Sequence, residues 1–199
     1  MKSKKFLSLL VLIIVNILNI NYSYSIQPDV FIQSTVNRTS EALKNKSTKE
    51  QKIEELKVIA SETVDIRGIG LYALGSYKKD ITKDQKQKYH LLFEQYFLKS
   101  FASRLAEYSN PKIEVKSKKK LNKNYTMVES VLIATEKRPE IKIDWRVYTK
   151  DPNNLMIRDL IIEGLSLART QKEEFSSIIE SNNGDINFLF KNLKEFSNK

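Results

Sequence analysis

Hydrophobic residues in the N-terminal half of the chain recur at the spacing that places them on one face of a helix. A first segment follows Pro28-Asp29, a second begins near Thr48, and a third comes directly behind the second. The apolar positions of the three stripes are Ile32, Val36 and Leu43; Ile53, Leu56, Ala60 and Val64; and Ile66, Ile69, Ala73, Leu74 and Tyr77. This pattern predicts three amphipathic helices that each bury one side.

The longest helical pattern starts at a capping box. Thr82 is placed to accept from the early backbone amides, and Gln85 is placed to reach back to the first turn. Pro111 ends the helix, because proline disfavours helical geometry in the residue before it. The stripe has two interpretations, ordinary core or a wall that faces a ligand, and both can hold along one helix. Its members are Tyr89, Leu92, Phe93, Tyr96, Phe97, Phe101, Leu105 and Tyr108.

Beyond Pro111 the period changes to two, which is typical of strands with one buried face. The alternating positions are Ile113, Val115 and Ser117 in a first strand and Ile141, Ile143, Trp145 and Val147 in a third. Between them, residues 125–135 form a strand whose buried face the parity leaves open, and residues 155–162 form a fourth strand. The short connections favour an antiparallel meander.

Two helices close the chain, over residues 166–181 and 186–196. Gly184 is expected to end the first of them and Asp185 to cap the start of the second. The order of elements predicts an α+β fold. In that fold, N-terminal helices and two C-terminal helices pack on one face of a four-stranded antiparallel sheet.

The first residues of the chain have the order of a secretory signal peptide. Three lysines lie within residues 2–5, an apolar stretch covers residues 6–20, and Ser23 and Ser25 supply small residues before a cleavage site. An uncleaved anchor is the alternative, but the apolar stretch is shorter than the ~20 residues of a membrane span. We therefore expect cleavage after about Ser25, with residues 26–199 forming one exported domain.

Composition narrows the class of protein further. The chain contains no cysteine, so an exported domain must rely on a packed core without disulfides. The net charge is +10, and removal of the three lysines of the signal peptide leaves +7. The dense run at residues 116–120 is consistent with transient contact at an anionic membrane surface or with a solvated turn. Export argues against nucleic acid as the partner.

One motif resembles the nucleophile site of a hydrolase, but the rest of the sequence does not support catalysis there. Residues 164–168 approach the G-x-S-x-G nucleophile elbow of α/β-hydrolases. However, the last glycine is replaced by Ala168, the only histidine, His90, precedes the serine, and the predicted sheet is antiparallel. Ser166 is therefore predicted to be a helix N-cap, Gly164 to permit the reversal before it, and His90 to be an ordinary helix residue.

The sequence also lacks the residues that other kinds of catalytic site need. One histidine and no cysteine leave no ligand set for zinc, and five scattered glycines form no phosphate-binding loop. The sequence therefore predicts a protein that is not an enzyme and that uses no cofactor or metal.

Two long blocks resemble a known family. They are RGIGLYALGSYKKDITKDQKQKYHLLFEQYFLKSFASRLAEY, residues 67–108, and RDLIIEGLSLARTQKEEFSSIIESNNGDINFLFKNLKEF, residues 158–196. The chain resembles the MlaC-type phospholipid-binding proteins, also called the toluene-tolerance family of ABC transporter auxiliary components. Two departures are Gln171-Lys172, where many members have tyrosine and a basic residue, and Leu155, where the last strand often opens with tryptophan.

The resemblance implies a soluble periplasmic carrier that shuttles phospholipid between the outer and inner membranes and so maintains the lipid asymmetry of the outer membrane. The implied partners are phospholipid, an inner-membrane ABC transporter with an MCE-domain subunit, an outer-membrane lipoprotein complex and, transiently, a membrane surface. The alternative is an exported binding module, without catalysis, for another apolar small molecule or for a protein. That alternative predicts a filled core.

A carrier of this kind needs a continuous apolar cavity between the sheet and the helices, because each buried methylene is worth about 0.8 kcal/mol. We expect its walls to come from the aromatic helix and from the strands. The expected lipid-binding residues are Leu74, Phe93, Phe97, Phe101, Val131, Ile133, Ile143, Trp145, Val147, Leu160, Ile162 and Leu165.

Overall fold

The computed structural model describes residues 26–44, 47–108, 111–136 and 138–198. The expected signal peptide, residues 1–25, lies outside these residues. The helices are α1 (Pro28–Lys44), α2 (Lys49–Thr63), α3 (Ile66–Ala73), α4 (Lys83–Ala106), α5 (Leu167–Glu180) and α6 (Ile186–Asn198), with a short 3-10 turn at Tyr77–Lys79. The strands are β1 (Ile113–Lys120), β2 (Tyr125–Leu132), β3 (Ile141–Tyr148), β4 (Met156–Ile162) and β5 (Leu165–Ser166). Within the described residues, no helix is long and apolar enough to cross a membrane.

Short polar residues fix where the helices begin. The capping box predicted at Thr82 and Gln85 is present at the start of α4, and α2 begins with a second box formed by Thr48 and Gln51. The carboxylate of Asp65 accepts a 2.7 Å hydrogen bond from the backbone N–H of Gly68 and so caps α3. These side chains satisfy amides that a helix leaves without partners in its first turn.

The strands form one antiparallel meander in the order β1-β2-β3-β4-β5. This confirms the predicted α+β fold, with one short strand more than the four expected. The extra strand arises because Glu163 and Gly164 have φ values of 49° and 82° and join β4 to β5 through a two-residue turn. Positive φ at both central positions is what a tight hairpin of this kind requires.

Glu163, to which the sequence assigns no role, ties this turn to the neighbouring strand. Its backbone N–H donates a 3.0 Å hydrogen bond to the carbonyl of Lys142, and its carboxylate accepts from the N–H of the same residue. The β4–β5 corner is therefore held to the start of β3 by two bonds.

The buried face of β2 is the one that carries Val128, Ser130 and Leu132. In β3 the buried residues are Ile143, Trp145 and Val147, as the alternation predicts. The helices cover this inner face. Side chains of the other parity lie on the opposite face and are only partly buried.

The prediction that Ser117 shares a face with Ile113 and Val115 is wrong. A β-bulge between Val115 and Ser117 inserts Lys116 and reverses the parity behind it. Ser117 consequently lies opposite Glu129 and donates a 2.6 Å hydrogen bond to its carboxylate.

The lysine run behind this bulge is partly paired within the protein. Lys116 contacts Glu114 at 2.8 Å, and Lys118 contacts Asp29 in the first turn of α1 at 2.7 Å. These pairs are at least partly exposed, so each contributes little to stability. Their main consequence is that Lys116 and Lys118 are already paired with carboxylates of the same chain.

The core is tightest where α3 crosses α4. Tyr89 is fully buried, and its hydroxyl donates a 2.9 Å hydrogen bond to the carbonyl of Gly70. A Cβ atom built on Gly70 would lie 2.7 Å from a ring carbon of Phe93. The absence of a side chain at Gly70 is therefore what lets the two helices approach.

We expect Gly70→Ala to lower the free energy of unfolding by about 1–3 kcal/mol, because it overpacks this crossing. Urea unfolding followed by circular dichroism measures the change. Arg67→Ala, on the exposed side of the same helix, is the matched control and should have a much smaller effect. Equal stability of the Gly70→Ala variant and the wild type would contradict the close approach.

Candidate functional site

A cavity of about 300 Å³ lies between the inner face of the sheet and helices α1, α2, α4 and α5. Its volume is at the lower end of the range of ligand pockets, about 300–1,000 Å³. The lining is predominantly apolar. The apolar lining residues include Val36, Leu43, Ile59, Val64, Ile69, Phe93, Phe97, Phe101, Leu132, Ile141, Ile143, Trp145, Ile157, Leu160 and Ile162.

Helix α4 forms the aromatic side of the cavity. The ring centroids of Phe93 and Phe97 are 6.0 Å apart, and those of Phe97 and Phe101 are 5.6 Å apart. These residues recur four positions apart and so share a face. Tyr89, one turn earlier, does not line the cavity and packs instead against Phe175 and Phe190 in the core. One stripe therefore serves as core at its first end and as cavity wall further along.

Trp145 presents an apolar face to the cavity because its polar atom is satisfied elsewhere. Its indole N–H donates a 2.9 Å hydrogen bond to the hydroxyl of Ser130, which donates in turn to the carbonyl of Ile143 at 2.8 Å. A buried tryptophan usually needs such a partner. The sheet side of the wall thus carries no free donor at this position.

Four threonine hydroxyls along the helical wall are also engaged by the protein. Thr35, Thr39 and Thr63 each donate to the carbonyl four residues earlier in their own helix, at 2.7–2.9 Å. Thr170 does the same towards Ser166 at 3.1 Å. Because these hydroxyls bond to the backbone, they leave mainly methyl groups and aliphatic carbon facing the cavity.

A buried carboxylate closes the corner between β4 and α5. Asp159 is 3% exposed, accepts from the hydroxyl of Ser166 at 2.7 Å and from the backbone N–H of Ala168 at 3.0 Å, and lies 3.6 Å from Arg146. Ser166 in turn accepts from the N–H of Arg169 at 3.1 Å. The prediction that Ser166 is an N-cap is confirmed.

The part of the chain that the structure describes places no catalytic partner at His90. Among the described residues, neither ring nitrogen has a hydrogen-bond partner. Burial lowers the pKa of His90, and the positive charges of Arg67 and Lys86 lower it further. The imidazole is therefore neutral at pH 7, with both ring nitrogens buried.

The mouth of the cavity lies between the C-terminal end of α4 and the first turns of α5. Four lining residues are exposed there, namely Arg104, Tyr108, Leu167 and Glu174. Other lining residues are buried or half-buried. A ligand that fills the cavity can therefore extend into solvent between these two helices.

A short polar chain bridges the two helices at the inner edge of the mouth. The hydroxyl of Tyr96 donates a 2.9 Å hydrogen bond to the amide oxygen of Gln171, whose NH₂ group donates to Glu174 at 2.9 Å. Burial raises the pKa of Tyr96, and the carboxylate of Glu174 raises it further, so the phenol stays protonated at neutral pH. Gln171 thus fills a structural role at the position where the sequence departs from the resembled family.

A second concavity, of about 590 Å³, lies between α1 and α2 and is open to solvent. Its walls carry Gln33, Asn37, Arg38, Glu41 and Glu55 beside a few aliphatic groups. A mixed polar wall of this kind does not suit an apolar ligand, and the inner cavity is the better candidate site.

Of the residues expected to bind lipid, several line the cavity: Phe93, Phe97, Phe101, Ile143, Trp145, Leu160 and Ile162. Leu74 and Val147 are fully buried in the core and do not reach it. Val131 lies on the opposite face of β2, across from Lys142, and Ile133 lies just past the end of that strand. Leu165 is 60% exposed beside the β4–β5 turn.

These departures have physical causes. Apolar residues occur at both parities of β2, so the alternation alone does not select its buried face. Leu74 and Val147 are of the same residue types as the residues of the cavity wall. Only the packing decides which residues of these types line the cavity. The polar mouth was missed because Tyr96, Arg104 and Glu174 form no local motif.

The existence of the cavity bears on the alternative of an exported binding module for another ligand or a protein. That alternative predicts a filled core, whereas an apolar cavity lies between α4 and the strands β3 and β4.

Comparison with known proteins gives a family and a fold. A family model described as MlaC protein matches residues 33–195. A phospholipid-binding protein from Ralstonia solanacearum, solved in complex with a phospholipid, has a similar structure with a TM-score of 0.72. The two chains are 20% identical, and the match covers 86% of this chain and 97% of the other. At this identity the likeness shows a shared fold.

We expect Ser166→Ala to lower the free energy of unfolding by about 1–2 kcal/mol, because α5 loses its cap and Asp159 loses a donor. Chemical denaturation measures the change, and Ser177→Ala, at an exposed position of α5, is the control. An unchanged midpoint would contradict the capping role. An esterase activity that the Ser166→Ala substitution abolishes would instead support a nucleophile.

Proposed function

The chain belongs to the MlaC protein family, as its sequence resemblance predicts, and we propose from this premise that it carries phospholipid with the acyl chains in the inner cavity. The observation that supports this proposal most is the character of the wall. Aromatic and aliphatic groups from α4, β3 and β4 face the cavity, and the indole N–H of Trp145 and the carboxylate of Asp159 are hydrogen-bonded within the protein.

The energetics of lipid transfer favour such a wall. Each methylene removed from water is worth about 0.8 kcal/mol, so acyl chains need a continuous apolar path rather than a few specific contacts. An unsatisfied polar group in the wall would oppose binding, because it loses its hydrogen bonds to water when lipid enters. The engaged hydroxyls of Thr35 and Thr63 and the engaged indole of Trp145 avoid this cost.

The proposal extends to the cellular role implied by the family resemblance. The protein is exported with removal of residues 1–25, and residues 26–199 act as a single soluble carrier domain in the periplasm. There it shuttles phospholipid between the outer and inner membranes and contributes to the lipid asymmetry of the outer membrane. Its partners are an inner-membrane ABC transporter with an MCE-domain subunit and an outer-membrane lipoprotein complex, with transient contact at membrane surfaces.

The proposed function includes no chemical step. The hydroxyl of Ser166 is engaged by Asp159 and by the amide of Arg169, and the sheet is antiparallel, unlike the parallel sheet that exposes a nucleophile elbow. An apolar cavity whose inner threonine hydroxyls and indole N–H are hydrogen-bonded to the protein suits binding and release.

Protein purified without detergent is expected to contain phospholipid. Solvent extraction followed by mass spectrometry should find diacyl lipid at a reproducible molar ratio to protein, and stripped protein should reload from vesicles. Stripped, folded protein that takes up no phospholipid from vesicles would contradict the proposal. Extraction of a different apolar molecule would instead support the alternative of a binding module.

Ser100→Trp is expected to reduce lipid loading severalfold, because the indole projects from α4 into the cavity and occupies the volume of an acyl chain. Gln95→Trp places the same group on an exposed position of α4 that does not line the cavity, and it is the control. The amount of lipid per protein after vesicle exchange measures the effect. Equal loading of the two variants would place the lipid elsewhere.

A further inference from the structure

The mouth of the cavity carries two opposite charges on opposite sides of its opening. Arg104 lies in the last turn of α4, and Glu174 lies on α5. Among the described residues that line the cavity, the only other charged side chain is Asp159, which is buried and bonded to Ser166 and Ala168. Arg104 and Glu174 are both exposed.

Within the described residues, neither of these charges is neutralised by an ion pair. Arg104 makes no hydrogen bond or ion pair with any other residue that the structure describes. Glu174 accepts one hydrogen bond, from the side-chain amide of Gln171 to its Oε2 atom. Its second oxygen, Oε1, accepts none from the described part of the chain.

The two charges line the same mouth. Glu174 is linked to the phenol of Tyr96 through Gln171, and Arg104 lies about two turns further along α4 on the cavity side. They nevertheless form no ion pair with each other within the described residues, so their groups are more than 4 Å apart. The opening between them is lined on its inner side by the Tyr96–Gln171 hydrogen bond.

This arrangement matches the chemistry of a zwitterionic head group. A guanidinium presents planar N–H donors that suit the oxygens of a phosphodiester, and a carboxylate accepts hydrogen bonds from a primary ammonium. We propose that Arg104 and Glu174 form a head-group clamp, in which Arg104 binds the phosphodiester and Glu174 binds the ammonium group of a phosphatidylethanolamine. This inference rests on the proposed function, because it places acyl chains in the cavity and the head group at its mouth.

Other head groups fit the clamp less well. Phosphatidylglycerol supplies the phosphodiester for Arg104 but leaves the carboxylate of Glu174 facing a neutral group near an anion. Phosphatidylcholine carries a cation without N–H donors, so it offers Glu174 charge without a hydrogen bond. The preference should be modest, about two- to fivefold, because solvent-exposed ion pairs contribute little, and it should fall as salt is raised.

The test measures competition between lipids that differ only in head group. Stripped protein is equilibrated with vesicles of equal parts phosphatidylethanolamine and phosphatidylglycerol with the same acyl chains, and the bound lipids are extracted and quantified. We expect the wild type to be enriched about two- to fivefold in phosphatidylethanolamine relative to the vesicles. Glu174→Gln should return the ratio to that of the vesicles, and Arg104→Gln should reduce loading of both lipids while changing their ratio less.

Matched controls separate the clamp from general charge. Glu173→Gln changes the neighbouring exposed carboxylate, and Arg169→Gln removes the same charge from α5 at a residue that does not line the cavity. Both should behave as the wild type. Bound lipid in the vesicle's own proportions, or equal effects of the control substitutions, would overturn the clamp and leave lipid carriage intact. Protein that loads neither lipid would contradict the proposed function and the clamp together.

Discussion

The carboxylate of Asp159 fixes the corner at which the sheet passes into α5, and the shape of the site depends on that corner. It accepts from the hydroxyl of Ser166 and from the amide of Ala168, so it joins β4 to β5 and to the first turn of the helix. A buried carboxylate is tolerated only when such partners satisfy it. Glu163 holds the same corner from outside through two bonds to Lys142. With the corner fixed, α5 stands opposite α4 and leaves the mouth between them.

A protein that keeps a cavity open gives up contacts that a filled core would supply, and this chain has no disulfide to compensate. The compensation comes from dense packing beside the cavity. Tyr89 and Phe93 pack against Phe175 at the crossing of α3 and α4, where Gly70 permits close approach. One aromatic stripe therefore supports the fold at its first end and supplies the cavity wall further along. Core packing and the cavity wall are thus separated along one helix.

Polar atoms are distributed in a way that suits an apolar ligand with a polar end. Inside the cavity, the indole of Trp145 and the hydroxyl of Thr63 have partners within the protein, so little polar surface competes for water. At the mouth, Arg104 and Glu174 are exposed and unpaired with each other. Polar groups with hydrogen-bond partners thus lie inside the cavity, and exposed charged groups lie at its mouth. In the proposed carrier, the acyl chains lie inside the cavity and the charged head group lies at its mouth.

The sequence by itself determined the elements and their order, because caps and periodicity are local: Thr82 with Gln85 starts α4, and Ser166 starts α5. It also determined the family, through long blocks in the right order. The tertiary structure alone decided which face of β2 is buried, since Val128 and Val131 offer both parities the same apolar character. It also decided which apolar residues form the core and which line the cavity. The two groups have the same residue types and differ only in whether another side chain fills the space beside them. The mouth of the cavity depends most on the tertiary structure. Its charges come from helices that are distant in sequence, and only the packing of α5 beside α4 brings them together.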